Sequence, residues 1–174
     1  MGVHDFSINP KIEDLKNLEK PSESEVLDAV KTLLRWTGDN PDRDGLKDTP
    51  KRVLKAYGEW FKGYEENPTE LLSKTFEEVQ GYNDWVVLDS IRVESYCEHH
   101  LAPIIGVAKV GYLPDGLVVG ISKLVRVVNA YSKRLQIQER LTREIGLAIH
   151  ETLNPKGVAV AIKAEHHCMC TRGV

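Results

Sequence analysis

The chain is organised around the stretch Tyr-Cys-Glu-His-His at residues 96–100, and a second cluster, His-His-Cys-Met-Cys, lies at residues 166–170. The two runs hold all three cysteines and four of the six histidines of the sequence. Zinc and related metals are bound by cysteine sulfur and histidine nitrogen, and a Cys-x-x-His spacing lets one turn present two ligands. Cys97 and His100 have that spacing. The two clusters therefore predict two halves of one metal site.

The second cluster can complete this site in two ways. Cys168 alone gives an open site with room for water, which is typical of catalytic zinc, whereas Cys168 with Cys170 gives a closed structural site. The spacing does not decide between them. A strand is predicted over 158–165, and if its alternation continued, His166, Cys168 and Cys170 would share one face. His99 and His166 would then be spare imidazoles beside the metal, which suits acid–base chemistry.

Composition restricts the class of protein. The 174 residues, 41% hydrophobic and 28% charged, predict one ordinary domain with a core of its own. The net charge of -3 argues against a general nucleic-acid binder. We expect no signal peptide, and no apolar run has the length of a membrane span. An odd number of cysteines in such a chain predicts a reducing, cytoplasmic location and metal chemistry.

The N-terminal part is predicted to be helical. Residues 1–22 show no period and predict a variable arm, and helices are expected within 23–75. The first helix begins at Ser22 or Ser24, and Thr49 is the predicted N-cap of the second. Apolar residues of the first helix recur at helical spacing and predict a face directed to the core: Val26, Ala29, Val30, Leu33 and Leu34.

Residues 76–174 predict an antiparallel sheet with two helices inserted between its strands. The strands are expected at 85–97, 103–112, 117–121 and 158–165. In the first strand, Val87, Ile91 and Val93 are expected on one face. Ser122 is the predicted cap of the first inserted helix, and the second runs from Ile137 to Leu153. This arrangement is typical of an α+β domain.

Five blocks of the sequence, in the same order, resemble GTP cyclohydrolase I, and the resemblance covers about residues 24–174. The blocks are Asp48-Thr49-Pro50-Lys51-Arg52-Val53, Cys97-Glu98-His99-His100, Gly120-Ile121-Ser122-Lys123-Leu124-Val125-Arg126, Gln138-Glu139-Arg140-Leu141-Thr142 and His166-His167-Cys168-Met169-Cys170-Thr171-Arg172-Gly173.

The resemblance implies a tunnelling fold (T-fold) over residues 23–174, in which subunits join their sheets into a barrel and two pentamers stack as a decamer. It implies hydrolytic opening of the guanine ring of GTP, release of carbon 8 as formate and closure to 7,8-dihydroneopterin triphosphate. This reaction is the first step of folate or tetrahydrobiopterin synthesis. The family continues past Arg172-Gly173, so the C-terminal tail is expected to be missing.

The resemblance also implies a role for each matching residue. Zinc is held by Cys97, His100 and Cys168, which is the open alternative, and its water attacks carbon 8. The acid–base histidines are His99 and His166, and the Ser122 hydroxyl takes part in opening the ribose. The remaining residues bind substrate: Gln138 and Glu139 the purine, Lys123, Arg126 and Arg172 the triphosphate, with Arg52 reaching in from another subunit.

Three other classes compete with this interpretation. A T-fold nitrile reductase would need a nucleophilic cysteine and NADPH, and the Cys-Glu-His-His cluster argues against it. A zinc-dependent base deaminase would need a His-x-Glu with a downstream Pro-Cys-x-x-Cys, and the sequence has neither. A zinc-stabilised protein without catalytic activity remains an alternative. His167 stands where relatives often carry tyrosine, so it is an alternative metal ligand.

Overall fold

The computed structural model describes residues 18–76 and 84–174. Most of the predicted arm, residues 1–17 of 1–22, therefore lies outside the described residues. The chain divides into two compact units, residues 1–60 and residues 61–174. None of the helices in the described ranges combines the length and the apolar character that crossing a membrane requires.

The first unit contains two helices, α1 (Glu23–Trp36) and α2 (Thr49–Trp60). Ser22 caps α1, because its hydroxyl accepts from the Glu25 backbone and the Glu25 carboxylate accepts in return from the Ser22 backbone N–H. The prediction of Thr49 as an N-cap is wrong. Thr49 is the first helical residue, and the carbonyl of Asp48 accepts from the Arg52 N–H.

The apolar stripe of α1 is only partly covered. No residue of this helix is buried within the described chain, and Val26, Val30 and Leu34 are half-buried. Ala29 is exposed and Leu33 has 64% of its surface exposed. The prediction that these two residues lie in the core is therefore wrong within the single chain. A pair of helices can bury only a narrow stripe of each partner.

The second unit contains a sheet and its covering helices. After a 3-10 turn (Lys62–Glu65), its elements in chain order are α3 (Pro68–Leu72), β1 (Thr75–Phe76), β2 (Val86–Cys97), β3 (Pro103–Leu113), β4 (Val118–Val119), α4 (Ile121–Ser132), β5 (Leu135–Gln136), α5 (Gln138–Leu153), β6 (Gly157–His166) and α6 (His167–Cys170). The chain is therefore an α+β protein, as predicted.

The main sheet has the strand order β5-β2-β3-β6. The long strands β2, β3 and β6 are antiparallel to their neighbours, while the short β5 is parallel to the end of β2. The strand predicted over 117–121 is reduced to two residues, and it pairs with β1 in a separate ladder outside the main sheet.

The core lies between the main sheet and the helices α4 and α5. One cluster of buried apolar side chains joins the sheet to both helices, and it includes Val93, Ala108, Val110, Leu124, Val127, Leu141, Ile145 and Ile149. The apolar period predicted for the second inserted helix is confirmed by the burial of Leu141, Ile145, Ala148, Ile149 and Leu153.

A bulge divides β2 into two halves. Its pairing with β3 shifts between Leu88 and Ile91, and Ser90 has a positive φ of 59°. An extra residue reverses which face each following side chain occupies. Val87 is consequently 54% exposed while Ile91 and Val93 are buried, so the prediction that these three share a face is wrong.

Candidate metal centre

The first half of the site is a tight turn after β2. The backbone N–H groups of His100 and Leu101 both donate to the carbonyl of Cys97, at 3.3 and 2.9 Å. The Cys97 N–H donates to the carbonyl of Ala102 at 2.8 Å, which closes the turn against the start of β3. The predicted Cys-x-x-His turn is therefore present at a strand-to-strand connection.

The second half follows β6. Ile104 at the start of β3 pairs with His166 at the end of β6, so the two clusters meet at one end of the sheet. The predicted alternation beyond His166 is wrong, because the chain turns into α6 at His167. The helical turn buries Cys168 and leaves Cys170 exposed, so the two thiols do not share a face.

Cys97, His100 and Cys168 converge, although they come from distant parts of the sequence. One ligand atom from each lies within 4.8 Å of the others, and this is the group that the described chain offers for a metal ion. The Cys97 sulfur lies 3.7 Å from His100 Nδ1. Both thiols are buried beside Ile104. Two thiols and one imidazole are a donor set that suits zinc, so the three residues fit such an ion.

The environment of Cys168 disfavours the thiolate form of its side chain. Desolvation, and next the neighbouring Cys97 thiol, raise the pKa of the Cys168 thiol above its ordinary value. A bound divalent cation reverses this preference, because thiolates are the ligands and metal binding releases their protons. A divalent cation bound by Cys168 would therefore offset the desolvation of its thiolate.

Two further side chains border the three candidate ligands. His99 Nδ1 lies 3.8 Å from the Cys97 sulfur, and the His99 side chain is 64% exposed. Arg172 Nη1 lies 3.0 Å from His100 Nε2. Nδ1 of the same ring is the nitrogen on the side of Cys97, so it is the candidate ligand atom of His100.

Gln138 and His166 form a second group. The Gln138 side-chain N–H donates to the carbonyl of Ile162 at 3.1 Å, which fixes the orientation of the amide. The amide oxygen is then the atom that lies 2.9 Å from His166 Nε2, so this ring nitrogen donates. His166 Nδ1 is left as the acceptor of the neutral ring.

The structure contains one pair near the site that sequence reasoning missed. The Glu98 carboxylate accepts from the Arg140 guanidinium, and 42 positions separate the two residues. No periodicity or spacing signals this pair. The only available signal was the position of Glu98 between two candidate ligands.

The other predicted site residues lie in the N-terminal halves of α4 and α5. Ser122 is exposed at the second position of α4, whose N-cap is Gly120, so its prediction as the cap is wrong. The Lys123, Arg126 and Glu139 side chains make no hydrogen bond or ion pair with another described residue. Arg126 lines an open groove of about 370 Å³ with Lys62 and Glu66, among others.

Arg52 belongs to the first unit and lies on α2. Its side chain is 74% exposed, with a guanidinium nitrogen 3.9 Å from a carboxylate oxygen of Asp48. An exposed pair at this distance holds neither side chain firmly.

Comparison with known proteins gives the following matches. The family model described as GTP cyclohydrolase I matches residues 26–174. The GTP cyclohydrolase 1 of Maricaulis maris is 60% identical over 155 residues, which are 89% of this chain and 76% of that protein. The protein of the same name from Hyphomonas neptunium is 58% identical over 158 residues, 91% of this chain and 77% of that protein. The protein of the same name from Brucella anthropi is 55% identical over 155 residues, which are 89% of this chain and 73% of that protein.

Proposed function

The chain belongs to the GTP cyclohydrolase I family, and on this premise we propose that Cys97, His100 and Cys168 hold a zinc ion that serves the hydrolysis of GTP. The chain is an enzyme of this family, with the activity that the names of its relatives state. The proposed reaction consumes water, opens the imidazole ring of guanine, releases carbon 8 as formate and yields 7,8-dihydroneopterin triphosphate.

The proposed zinc site uses three protein ligands and leaves one position open. When bound, the ion supplies Lewis-acid chemistry and acidifies water at that open position. The chain contributes a buried apolar side of the site, because Cys97 and Cys168 pack against Ile104. His100 is the exposed member of the three, so we propose that substrate enters from its side.

The two spare histidines are the proposed acid–base groups. His166 is held through its Nε2 by Gln138, so its Nδ1 exchanges the proton with the substrate. His99 lies beside Cys97 with an exposed ring, so it can reach a substrate bound at the open position. Ser122, exposed in the first turn of α4, is proposed to act on the ribose.

Substrate recognition is proposed for residues whose side chains have unused hydrogen-bonding capacity. The exposed Glu139 carboxylate accepts from the guanine edge, and Gln138 keeps a second N–H for the same base. The triphosphate is bound by Lys123, Arg126 and Arg172, with Arg52 from another subunit. Each cation stabilises phosphate charge by the same electrostatic attraction.

An assembly of copies is proposed because the sheet has open edges. Within the described ranges, β6 pairs only with β3, and β5 covers only the last two residues of β2. Open edges of long strands invite pairing with another chain. We propose that copies join these sheets into the T-fold barrel, as a decamer of two pentamers.

One observation carries the proposal. Three residues that suit zinc, two of them 71 positions apart in the sequence, come within 4.8 Å of one another. This convergence depends on the fold and not on local spacing.

The test is an assay of the purified protein loaded with zinc. Incubation with GTP is expected to release formate and to give a product that becomes a fluorescent pterin on oxidation. Cys168→Ser is expected to lose both the metal and the products, whereas the matched control Cys170→Ser keeps both, because Cys170 is exposed outside the three ligands. A zinc-loaded wild-type protein that binds GTP without releasing formate would instead support a non-catalytic module.

A further inference from the structure

Glu98 lies inside the metal-binding turn and is tied to the rest of the unit at two points. Its backbone N–H donates to the carbonyl of Gln136 at 3.1 Å. Its carboxylate Oε2 accepts from Arg140 Nη2. The two side chains are 31% and 12% exposed, so the ion pair is largely shielded from solvent.

Arg140, the other member of this ion pair, lies in the first turn of α5. The two residues just before it, Gln138 and Glu139, are the proposed purine ligands. The pair therefore connects the turn that carries the metal ligands to the helix end that carries base recognition. A movement of either element relative to the other would break it.

The second oxygen of the same carboxylate faces His99. Glu98 Oε1 lies 3.7 Å from His99 Nε2, while the Cys97 sulfur lies 3.8 Å from Nδ1 on the opposite side of the ring. At 3.7 Å the carboxylate contact is electrostatic and not a hydrogen bond, and such contacts often shorten when substrate binds. Because the His99 ring is mostly exposed, packing alone does not fix its direction.

The energetics favour a geometric role for the ion pair. Desolvation of a shielded pair offsets most of its attraction, so the pair adds little net stability. Removal of one member nevertheless lowers the free energy of unfolding, because the other member is left as an unpaired charge. The consequence of such a pair is therefore a fixed arrangement of the elements that it joins.

We propose that Glu98 and Arg140 are positioning residues that hold the metal-binding turn against α5 and keep the His99 ring directed at the substrate beside Cys97. This inference rests on the proposed function, because it assigns the pair to the chemical step of that reaction. Neither residue touches the substrate or the metal in this account.

The test is Glu98→Gln, a variant of nearly the same shape. We expect kcat to fall by about 10- to 100-fold, which is the usual effect of a small misplacement of a catalytic group. KM for GTP is expected to stay within about twofold, because base and phosphate ligands are untouched, and zinc content is expected to be unchanged. The matched control is Glu94→Gln on the same strand, whose partner Lys133 lies 2.9 Å away, and it should keep kcat.

The exchanged variant Glu98→Arg/Arg140→Glu separates the two contacts. It restores an ion pair but removes the acceptor beside His99, so we expect wild-type thermal stability with kcat still at least about tenfold low. Wild-type kcat in Glu98→Gln, or complete recovery of kcat in the exchanged variant, would overturn the inference while the proposed function stands. Absence of formate from the zinc-loaded wild-type protein would overturn both.

Discussion

Two adjacent histidines, His99 and His100, are expected to respond differently to the same substitution. His100→Ala should lower both zinc content and turnover, because the metal would lose a ligand. His99→Ala should stop turnover and keep zinc, because its ring borders Cys97 without being needed in the ligand set. Metal analysis of the two purified variants, beside the formate assay, checks this. Loss of zinc from His99→Ala would reassign His99 as a ligand.

The residues of the site were predictable where the signal is local. Cys97 and His100 are brought together by one turn, so their spacing alone indicated the pair. Spacing alone could not exclude Cys170, because its exclusion depends on the chain leaving the strand for a helix at His167, and only the family resemblance implied it. The pairing of Glu98 with Arg140 could not be predicted either, since only the tertiary fold brings the turn to α5.

At the scale of elements, the close approach of β3 and β6 is expected to be sensitive to a single methyl group. A Cβ on Gly106 would lie 2.1 Å from the Lys163 carbonyl oxygen, so Gly106→Ala should force the strands apart. We expect the free energy of unfolding to fall by about 1–3 kcal/mol or more, and zinc affinity to fall with it. Denaturant unfolding and zinc titration measure the two effects.

Gly146 in α5 is the matched control for Gly106. A Cβ there would meet Val160 at an ordinary 3.7 Å, so Gly146→Ala should raise the free energy of unfolding by about 0.5–1 kcal/mol through helix propensity. Equal effects of the two substitutions would contradict the packing described for β3 and β6.

The ion pair between Glu94 of β2 and Lys133 after α4 predicts a pH dependence of stability. The hydrogen bond from Lys133 holds the pKa of the Glu94 carboxyl below its ordinary value of 4.5. A carboxyl with a depressed pKa in the folded state stabilises the protein above its unfolded-state pKa, and this contribution is lost as pH falls through the folded-state pKa. Glu94→Gln should therefore be less stable near neutral pH and lose less stability on acidification below about pH 4.5.

Unfolding by denaturant across this pH range measures the contribution of Glu94. The effect should be small, because the carboxylate is about one third exposed and solvent screens the pair. Glu165→Gln is the control, since this exposed carboxylate makes no ion pair with another described residue. An identical pH profile for the wild type and Glu94→Gln would contradict the predicted linkage.

The boundaries of the long strands and of α5 were predictable from periodicity, whereas the strand expected over 117–121 is reduced to Val118–Val119. The strand expected over 103–112 is Pro103–Leu113, and the helix expected to end at Leu153 ends there. The bulge in β2 was not predictable, because Asp89 and Ser90 interrupt the alternation without a glycine to mark a positive φ. Sequence periodicity reports which residues are apolar, but not where an extra residue reverses their faces.

At the scale of the whole molecule, the proposed sharing of each site between subunits predicts complementation. Arg52→Ala and Cys168→Ser should each be inactive, yet their co-expression should restore activity at sites that combine an intact Arg52 from one chain with an intact Cys168 from another. With random mixing, about a quarter of the sites would be complete. Formate release by the purified mixed assembly measures this. No recovery in assemblies shown to contain both chains would place Arg52 and Cys168 of one site on the same chain.

Large apolar side chains are exposed on α1 and on the main sheet. Trp36 is 87% exposed and Leu33 is 64% exposed on α1, and Ile105 and Val107 are exposed on the main sheet. Periodicity predicted that the α1 stripe faces the core, but it cannot distinguish burial in the same chain from burial against another copy. Such surfaces are consistent with the proposed oligomer.

X-ray absorption spectroscopy of the zinc-loaded protein tests the open three-ligand zinc site, because it counts the ligand atoms around the metal. We expect two sulfurs at about 2.3 Å, one imidazole nitrogen at about 2.0–2.1 Å and one solvent oxygen, with the same spectrum in Cys170→Ser. A third sulfur that disappears in Cys170→Ser, or a second imidazole in place of the solvent, would show a closed four-ligand site and contradict the open site proposed for catalysis.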